Sequence, residues 1–340
     1  MKVKVKDIAA AAGVSTTAVS LVLNNRPSRI ADDTKEHILR IANEMKLQKE
    51  NDFLFAEFKR VKTIGLIIPE GNNRFFWKLA LEISKVAAVS GYTVFQCHVE
   101  ESSQSLYQAI ESLVGKNVDG ILVVPPAKIT KEGIKLLKSC QTGKIPMILV
   151  DRAVYTVFSD FVTADNKQGG LLATEYLIAH GHTRIGIILG GENVYTSRTR
   201  LEGYKAALAA HSIPYEIMRV YYGDFDTQSG ETGAEELLKQ GVTAIFAAND
   251  LMAYGVYSYA GRKGLVIPDD LSVIGYDNTE LCDFLPVPLT SIDQNIENLA
   301  SKSVEVMTRQ IMKSEQQSPV RNYYFSPIVV ERSSVKYFLE

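Results

Sequence analysis

Two kinds of hydrophobic periodicity divide the chain. Near its start, apolar positions recur at helical spacing in three short stretches: Ile8, Ala9 and Ala12; Ala18, Val19, Val22 and Leu23; and Ile38, Ile41, Ala42 and Met45. Lys6 to Ala12 suits a short helix. Gly13 ends it, because glycine takes the left-handed conformation that a tight turn between helices requires. Val14 plugs the turn, and Ser15 is a good N-cap for a second helix from Thr16 to about Asn24. A third helix follows Ile30, with Asp32 and Asp33 in its first turn, where negative charge suits the helix dipole. Short helices with a glycine turn between the first two make a helix-turn-helix.

From Val61 onward the pattern changes to short continuous apolar runs separated by helical stretches. Thr63 to Ile68, Tyr92 to Phe95, Gly120 to Val124 and Met147 to Val150 form one series. Ile185 to Leu189, Tyr221-Tyr222, Ala244 to Ala247 and Val273-Ile274 form a second. Such alternation predicts parallel sheets covered on both faces, and two series predict two doubly wound α/β lobes. Ligands in this architecture bind outside the carboxyl ends of the strands. Three strand ends deliver polar side chains there: Asp151-Arg152 after Val150, Asn249-Asp250 after Ala248, and Asp277 after Tyr276. Carboxylates, amides and a guanidinium can each bridge neighbouring hydroxyls, so together they suit a polyhydroxylated ligand. Asp250 is expected to cap the helix that follows it.

Composition sets limits. The 340 residues are 46% hydrophobic and 22% charged, enough for a large core, and the formal net charge is −2. Distribution tells more than the sum: Lys2, Lys4, Lys6, Arg26 and Arg29 face a single acid, Asp7, at the start of the chain. A basic tip on a mildly acidic body is the electrostatic footprint of a DNA-binding head. Cys97, Cys140 and Cys282 lack metal or redox spacing and read as small apolar residues. No apolar run reaches the roughly 18 residues that span a membrane. The alanine-rich start is too short for a secretory signal, so a cytoplasmic location is expected.

The string Lys6-Asp7-Ile8-Ala9, then Ala12-Gly13-Val14-Ser15-Thr16-Thr17-Ala18-Val19-Ser20 and Asn24, closely resembles the head of the LacI/GalR family of bacterial regulators. Arg29 to Thr34 looks like the same family's approach to its third helix. Gly181-His182-Thr183-Arg184-Ile185-Gly186 and Ser197 to Tyr204 extend the resemblance through the body. It implies an all-α helix-turn-helix head at residues 1–47, a hinge at 48–61, and a two-lobed, periplasmic-binding-protein-like body at 62–340. Lobe 1 would take about 62–162 and 291–323, and lobe 2 about 163–290 and 324–340. Thr16, Thr17 and Leu21 would meet base edges in the major groove, with Ser20 and Asn24 nearer the backbone. Lys4 and Lys6 would meet phosphates.

Relatives carry a proline turn and a leucine wedge for the minor groove in the hinge. Here the turn reads Leu47-Gln48-Lys49, Ala56 stands at the wedge position, and Leu54, Phe55 and Phe58 are the nearby candidates. In the body the resemblance implies effector contacts by Phe76, Asp151, Arg198, Phe225, Asn249 and Asp277. Phe75 and Trp77 rank lower and suit the core. A sequence-specific regulator is therefore expected, a repressor by family default, controlled by a sugar-like effector. It would bind a pseudo-palindromic operator as a homodimer, with no cofactor, metal or membrane. A purine- or nucleoside-responsive regulator, or a free-standing sugar-binding protein, are the alternatives. No GxGxxG after the first strand, Walker, GxSxG or HExxH motif is present, and His37, His98, His180, His182 and His211 form no metal spacing, so catalysis is not expected.

Overall fold

The computed structural model describes residues 4–24, 26, 30–56, 61–141, 145–312 and 319–338. Two compact units divide at Val61 and Lys62. The first holds α1 (Val5–Ala12), α2 (Thr16–Leu23) and α3 (Asp32–Ala56). Gly13 sits at φ 66° and Ser15 Oγ accepts the Ala18 amide at 3.2 Å, so glycine and cap do what the sequence asked of them. α1 and α2 meet at 111°, within the roughly 90–120° of DNA-binding helix pairs. Ile8, Ala9, Ala12, Val19 and Ile38 are buried at their junction, with Val14, Val22, Ile41, Ala42 and Met45 packed around them. Leu23 is exposed instead of inward, since it is the last residue of α2 and lies past this small core.

The turn expected at Leu47-Gln48-Lys49 does not form. α3 runs on to Ala56, because neither proline nor glycine interrupts the chain between Ala31 and Ile64. Leu54, Phe55 and Ala56 fall on its last turn. Phe58, Lys2 and Arg29 lie outside the described residues.

The second unit contains, in chain order, β1 (Thr63–Pro69), α4 (Arg74–Val89), β2 (Thr93–Val99), α5 (Ser103–Gly115), β3 (Gly120–Val123), α6 (Lys131–Gln141), β4 (Met147–Val150) and β5 (Phe161–Ala164). There follow α7 (Asn166–Ala179), β6 (Ile185–Leu189), α8 (Tyr195–Ala210), β7 (Val220–Tyr222), α9 (Thr227–Leu238), β8 (Ala244–Ala247), α10 (Asp250–Lys263) and β9 (Ser272–Tyr276). The chain closes with β10 (Thr290–Asp293), α11 (Ile296–Met312), β11 (Asn322–Phe325) and β12 (Ile328–Val330). One sheet has the order β11-β5-β4-β3-β1-β2, the other β12-β10-β9-β8-β6-β7. Every pairing is parallel except β10 with β12. The two lobes are doubly wound, and β1, β3, β4, β6, β8 and β9 are buried along their whole length.

Lobe boundaries differ slightly from the expected ones. β5 and β11 stay whole in the first sheet and β10 stays whole in the second, so the chain crosses after Ala164, between Asp293 and Ile296, and between Phe325 and Ile328. A strand cannot change sheets midway without leaving its ladder of hydrogen bonds. Among the described residues no single helix is long and apolar enough to cross a membrane.

Candidate functional site

On the head, Lys4, Lys6, Thr16, Thr17 and Asn24 are exposed, and Ser20 and Leu21 are half-buried. Thr16 and Thr17 open α2, so their side chains stand free at its amino end, where a recognition helix presents base-reading groups. Asn24 Nδ2 donates to the Ser20 carbonyl at 2.8 Å, closing the carboxyl end of the same helix.

In the body, the carboxyl ends of both sheets converge on a tight cavity of about 20 Å³ lined by both lobes. Phe76, Asp151, Phe225, Asn249 and Asp277, singled out from sequence, all line it. Asp151 follows β4, Phe225 follows β7, Asn249 follows β8 and Asp277 follows β9, as the strand-end rule requires. Asp151 (φ 64°), Phe225 (φ 63°) and Asp277 (φ 113°) occupy the left-handed half of backbone space. Each such non-glycine residue costs about 1–3 kcal/mol, a strain that concentrates where side chains must be aimed.

Arg198 does not reach this cavity. It is exposed on α8 with its guanidinium 5.6 Å from the ring of Tyr155. The arginine that lines the cavity is Arg200, which is 3% exposed. Two residues along a helix turn the side chain by about 200°, so the two arginines point to opposite sides. Arg200 Nε donates to Asn166 Oδ1 at 2.8 Å, its Nη1 donates to the Ala248 carbonyl, and its guanidinium lies 3.6 Å from the centroid of Tyr276. Gly170 and Gly203 let α7 and α8 touch. A Cβ on Gly170 would lie 2.2 Å from the Arg200 carbonyl oxygen, so the backbone carrying this arginine is clamped.

Asn249, rather than Asp250, caps α10. Its Oδ1 accepts the Met252 amide at 2.8 Å and its Nδ2 donates to the Phe225 carbonyl at 3.0 Å, fixing the aromatic residue beside it. Asp250 is turned inward and accepts from the Thr279 amide at 2.8 Å and from Ser291 Oγ at 2.6 Å, tying three strand ends together. The Phe225 ring lies over Gly190, where a Cβ would approach it to 1.9 Å.

Asn73, Phe75, Arg152, Thr196, Arg200 and Gln294 also line the cavity. The sequence places Arg152 beside Asp151, and it offers Phe75 only behind Phe76. For Thr196 and Arg200 the signal was the buried stripe of α8, shared with Tyr204 and Ala207. Trp77 is exposed and packs against His98 at 4.5 Å.

Burial pushes the carboxyls of Asp151 and Asp277 above their usual range, while Arg200 pulls both back and Arg152 pulls Asp151 back. Asn73 Nδ2 donates to Asp277 Oδ2 at 3.2 Å across the cleft, and Gln294 Nε2 donates to Asp277 Oδ1 at 2.7 Å. Asp151 Oδ1 and Gln294 Oε1 are buried without a hydrogen-bond partner. Two unmet acceptors in one cavity call for a ligand rich in donors. Among the described residues no group of His, Cys, Asp or Glu is placed to hold a metal ion.

The model of the periplasmic binding proteins and sugar binding domain of the LacI family matches residues 61–324, and that of bacterial regulatory proteins, lacI family, matches residues 4–48. The HTH-type transcriptional repressor PurR of Pasteurella multocida is 32% identical over 335 residues, covering 98% of each chain. The chain is also similar to the lac repressor dimer solved bound to operator and the anti-inducer ONPF (TM-score 0.72, 25% identity, 99% of this chain and 100% of that one). A LacI family regulator from Enterococcus faecium solved with bound ribose matches 82% of this chain and 100% of its own (TM-score 0.71, 28% identity). With head and body both matched and a relative aligned nearly end to end, the chain belongs to the LacI family of bacterial regulatory proteins.

Proposed function

We propose that this LacI-family regulator is a repressor whose operator affinity is set by a neutral sugar held between the lobes. One observation carries the effector class: Asp151 Oδ1 and Gln294 Oε1 are buried acceptors with no hydrogen-bond partner, on residues that line the cavity. A polyol supplies hydroxyl donors to both without adding charge, and leaving such acceptors unmet costs about 1–3 kcal/mol each. Ribose in a similar structure supports the same reading.

On the head, Thr16, Thr17 and Leu21 read base edges and Lys4 and Lys6 meet phosphates, with Ser20 and Asn24 near the backbone. Two copies of the chain, in the cytoplasm, engage the halves of a pseudo-palindromic operator. The direct test is thermal unfolding of the full chain with neutral monosaccharides, disaccharides and sugar phosphates. A neutral sugar at a hundred times its Kd should add about 2.7 kcal/mol and raise the Tm of the body. A response to sugar phosphates alone would refute the neutral-sugar reading.

A further inference from the structure

Resting on that reading of the cleft, we propose that Arg152 determines which class of ligand enters it: its guanidinium holds the space beside Phe76 and Phe225 and bars flat heteroaromatic rings. The guanidinium carbon lies 5.3 Å from the centroid of Phe76 and 5.7 Å from that of Phe225. Both rings line the cavity, one from each lobe. A phenyl face takes a planar cation, a nucleobase or the C–H side of a sugar, but a planar cation and a nucleobase cannot share the same face.

Arg152 is not a loose side chain that a ligand brushes aside. It is 6% exposed, and its Nη1 donates to Glu101 Oε1 at 2.8 Å and Oε2 at 3.1 Å and to the Pro125 carbonyl at 3.2 Å. Glu101 is itself anchored by accepting the Ala127 amide. A purine base seeking both rings must pull the guanidinium away from a carboxylate, a carbonyl and two aromatic faces at once. A sugar can meet the hydrogen-bonding rim formed by Asp151, Arg200 and Gln294 without stacking on either ring. Glu101 is therefore a positioning residue and Arg152 the filter.

The test uses the full-length protein, titrated calorimetrically with D-ribose and with adenine. The wild type should show no adenine binding up to millimolar concentration. Arg152→Ala should bind adenine at least about tenfold more tightly than the wild type, and ribose more weakly wherever the wild type binds it. Glu101→Gln, which frees the guanidinium without removing it, should show a smaller gain in adenine affinity. It also keeps the question open to experiment if Arg152→Ala fails to fold.

Adenine binding by the wild type, or a folded, operator-binding Arg152→Ala with no gain in adenine affinity, overturns the filter. Should Arg152→Ala misfold, a Glu101→Gln protein with wild-type behaviour toward adenine does the same. If no sugar binds the wild type but adenine binds Arg152→Ala, the effector reading fails and the filter stands. If ribose binds the wild type and neither variant gains adenine, the filter fails and the effector reading stands.

Discussion

Replacing Arg200 by methionine, with Arg198→Met as its control, separates the two arginines of α8. Arg200 is buried, bonded to Asn166 at 2.8 Å and to Ala248, stacked 3.6 Å from Tyr276, and is the leading charge holding down the buried carboxyl of Asp277. Methionine keeps much of the volume but removes the charge and the donors. Taking one partner from a buried charge cluster costs about 3–5 kcal/mol. At about 2 °C per kcal/mol for a unit of this size, the Tm of the body should fall by roughly 6–10 °C.

Arg198 is exposed and its one aromatic contact, with Tyr155, spans 5.6 Å. Its loss should cost at most about 1 kcal/mol, or roughly 2 °C. Calorimetry on the same samples should show effector binding lost in Arg200→Met and changed less than about fivefold in Arg198→Met. Arg200→Lys should recover part of the stability but not the binding, because an ammonium lacks the planar fork. If Arg198→Met abolished the response while Arg200→Met preserved it, the assignment drawn from the cavity would be wrong.

Other outcomes follow from single contacts. Gly190→Ala puts a methyl 1.9 Å from the Phe225 ring, so it should cost about 1–3 kcal/mol and weaken effector binding by displacing that ring. His182 lies between Thr243 Oγ1 at 2.9 Å and Ser272 Oγ at 3.0 Å, and burial pushes its pKa down to about 4 from 6.5. The neutral imidazole therefore adds stability that is fully present above pH 6.5 and is lost as pH falls through 4. The gap between wild-type and His182→Asn melting curves should shrink over that window by up to about 3 kcal/mol, and a constant gap would contradict the assignment. On the head, Lys6→Ala should lower the slope of log K against log salt by about 0.9, whereas Thr17→Ala should relax discrimination at one base pair and leave the slope unchanged.

Much of this fold is legible in the sequence, for definite reasons. The apolar runs that became β1, β3, β4, β6, β8 and β9 are buried on both faces, so their sequences carry no competing polar signal. β5 (Phe-Val-Thr-Ala) and β10 (Thr-Ser-Ile-Asp) escaped notice because their buried hydroxyls look like loop residues. Those hydroxyls are satisfied internally: Thr163 Oγ1 donates to the Asp151 carbonyl at 2.9 Å, and Thr290 Oγ1 accepts the Arg332 amide at 2.9 Å.

The strand-end rule brought Asp151, Asn249 and Asp277 to one cavity because topology fixes where strands end. Arg198 was chosen by matching a motif, and helix phase corrected it. Arg198 shares the exposed side of α8 with Glu202 and Lys205, while Arg200 shares the buried side with Thr196, Gly203 and Ala207. Asn73 and Gln294 were out of reach, since only the meeting of the two lobes gives them a role.

The central claim is that a sugar gripped in the cleft and an operator gripped by the head are thermodynamically linked. The most direct measurement is a calorimetric titration of the responsive sugar into the full-length protein, free and saturated with operator at fixed salt. The account predicts that DNA shifts the sugar Kd by about 5- to 150-fold, and that sugar shifts the operator Kd by the same factor. Identical sugar affinities with and without operator would contradict it.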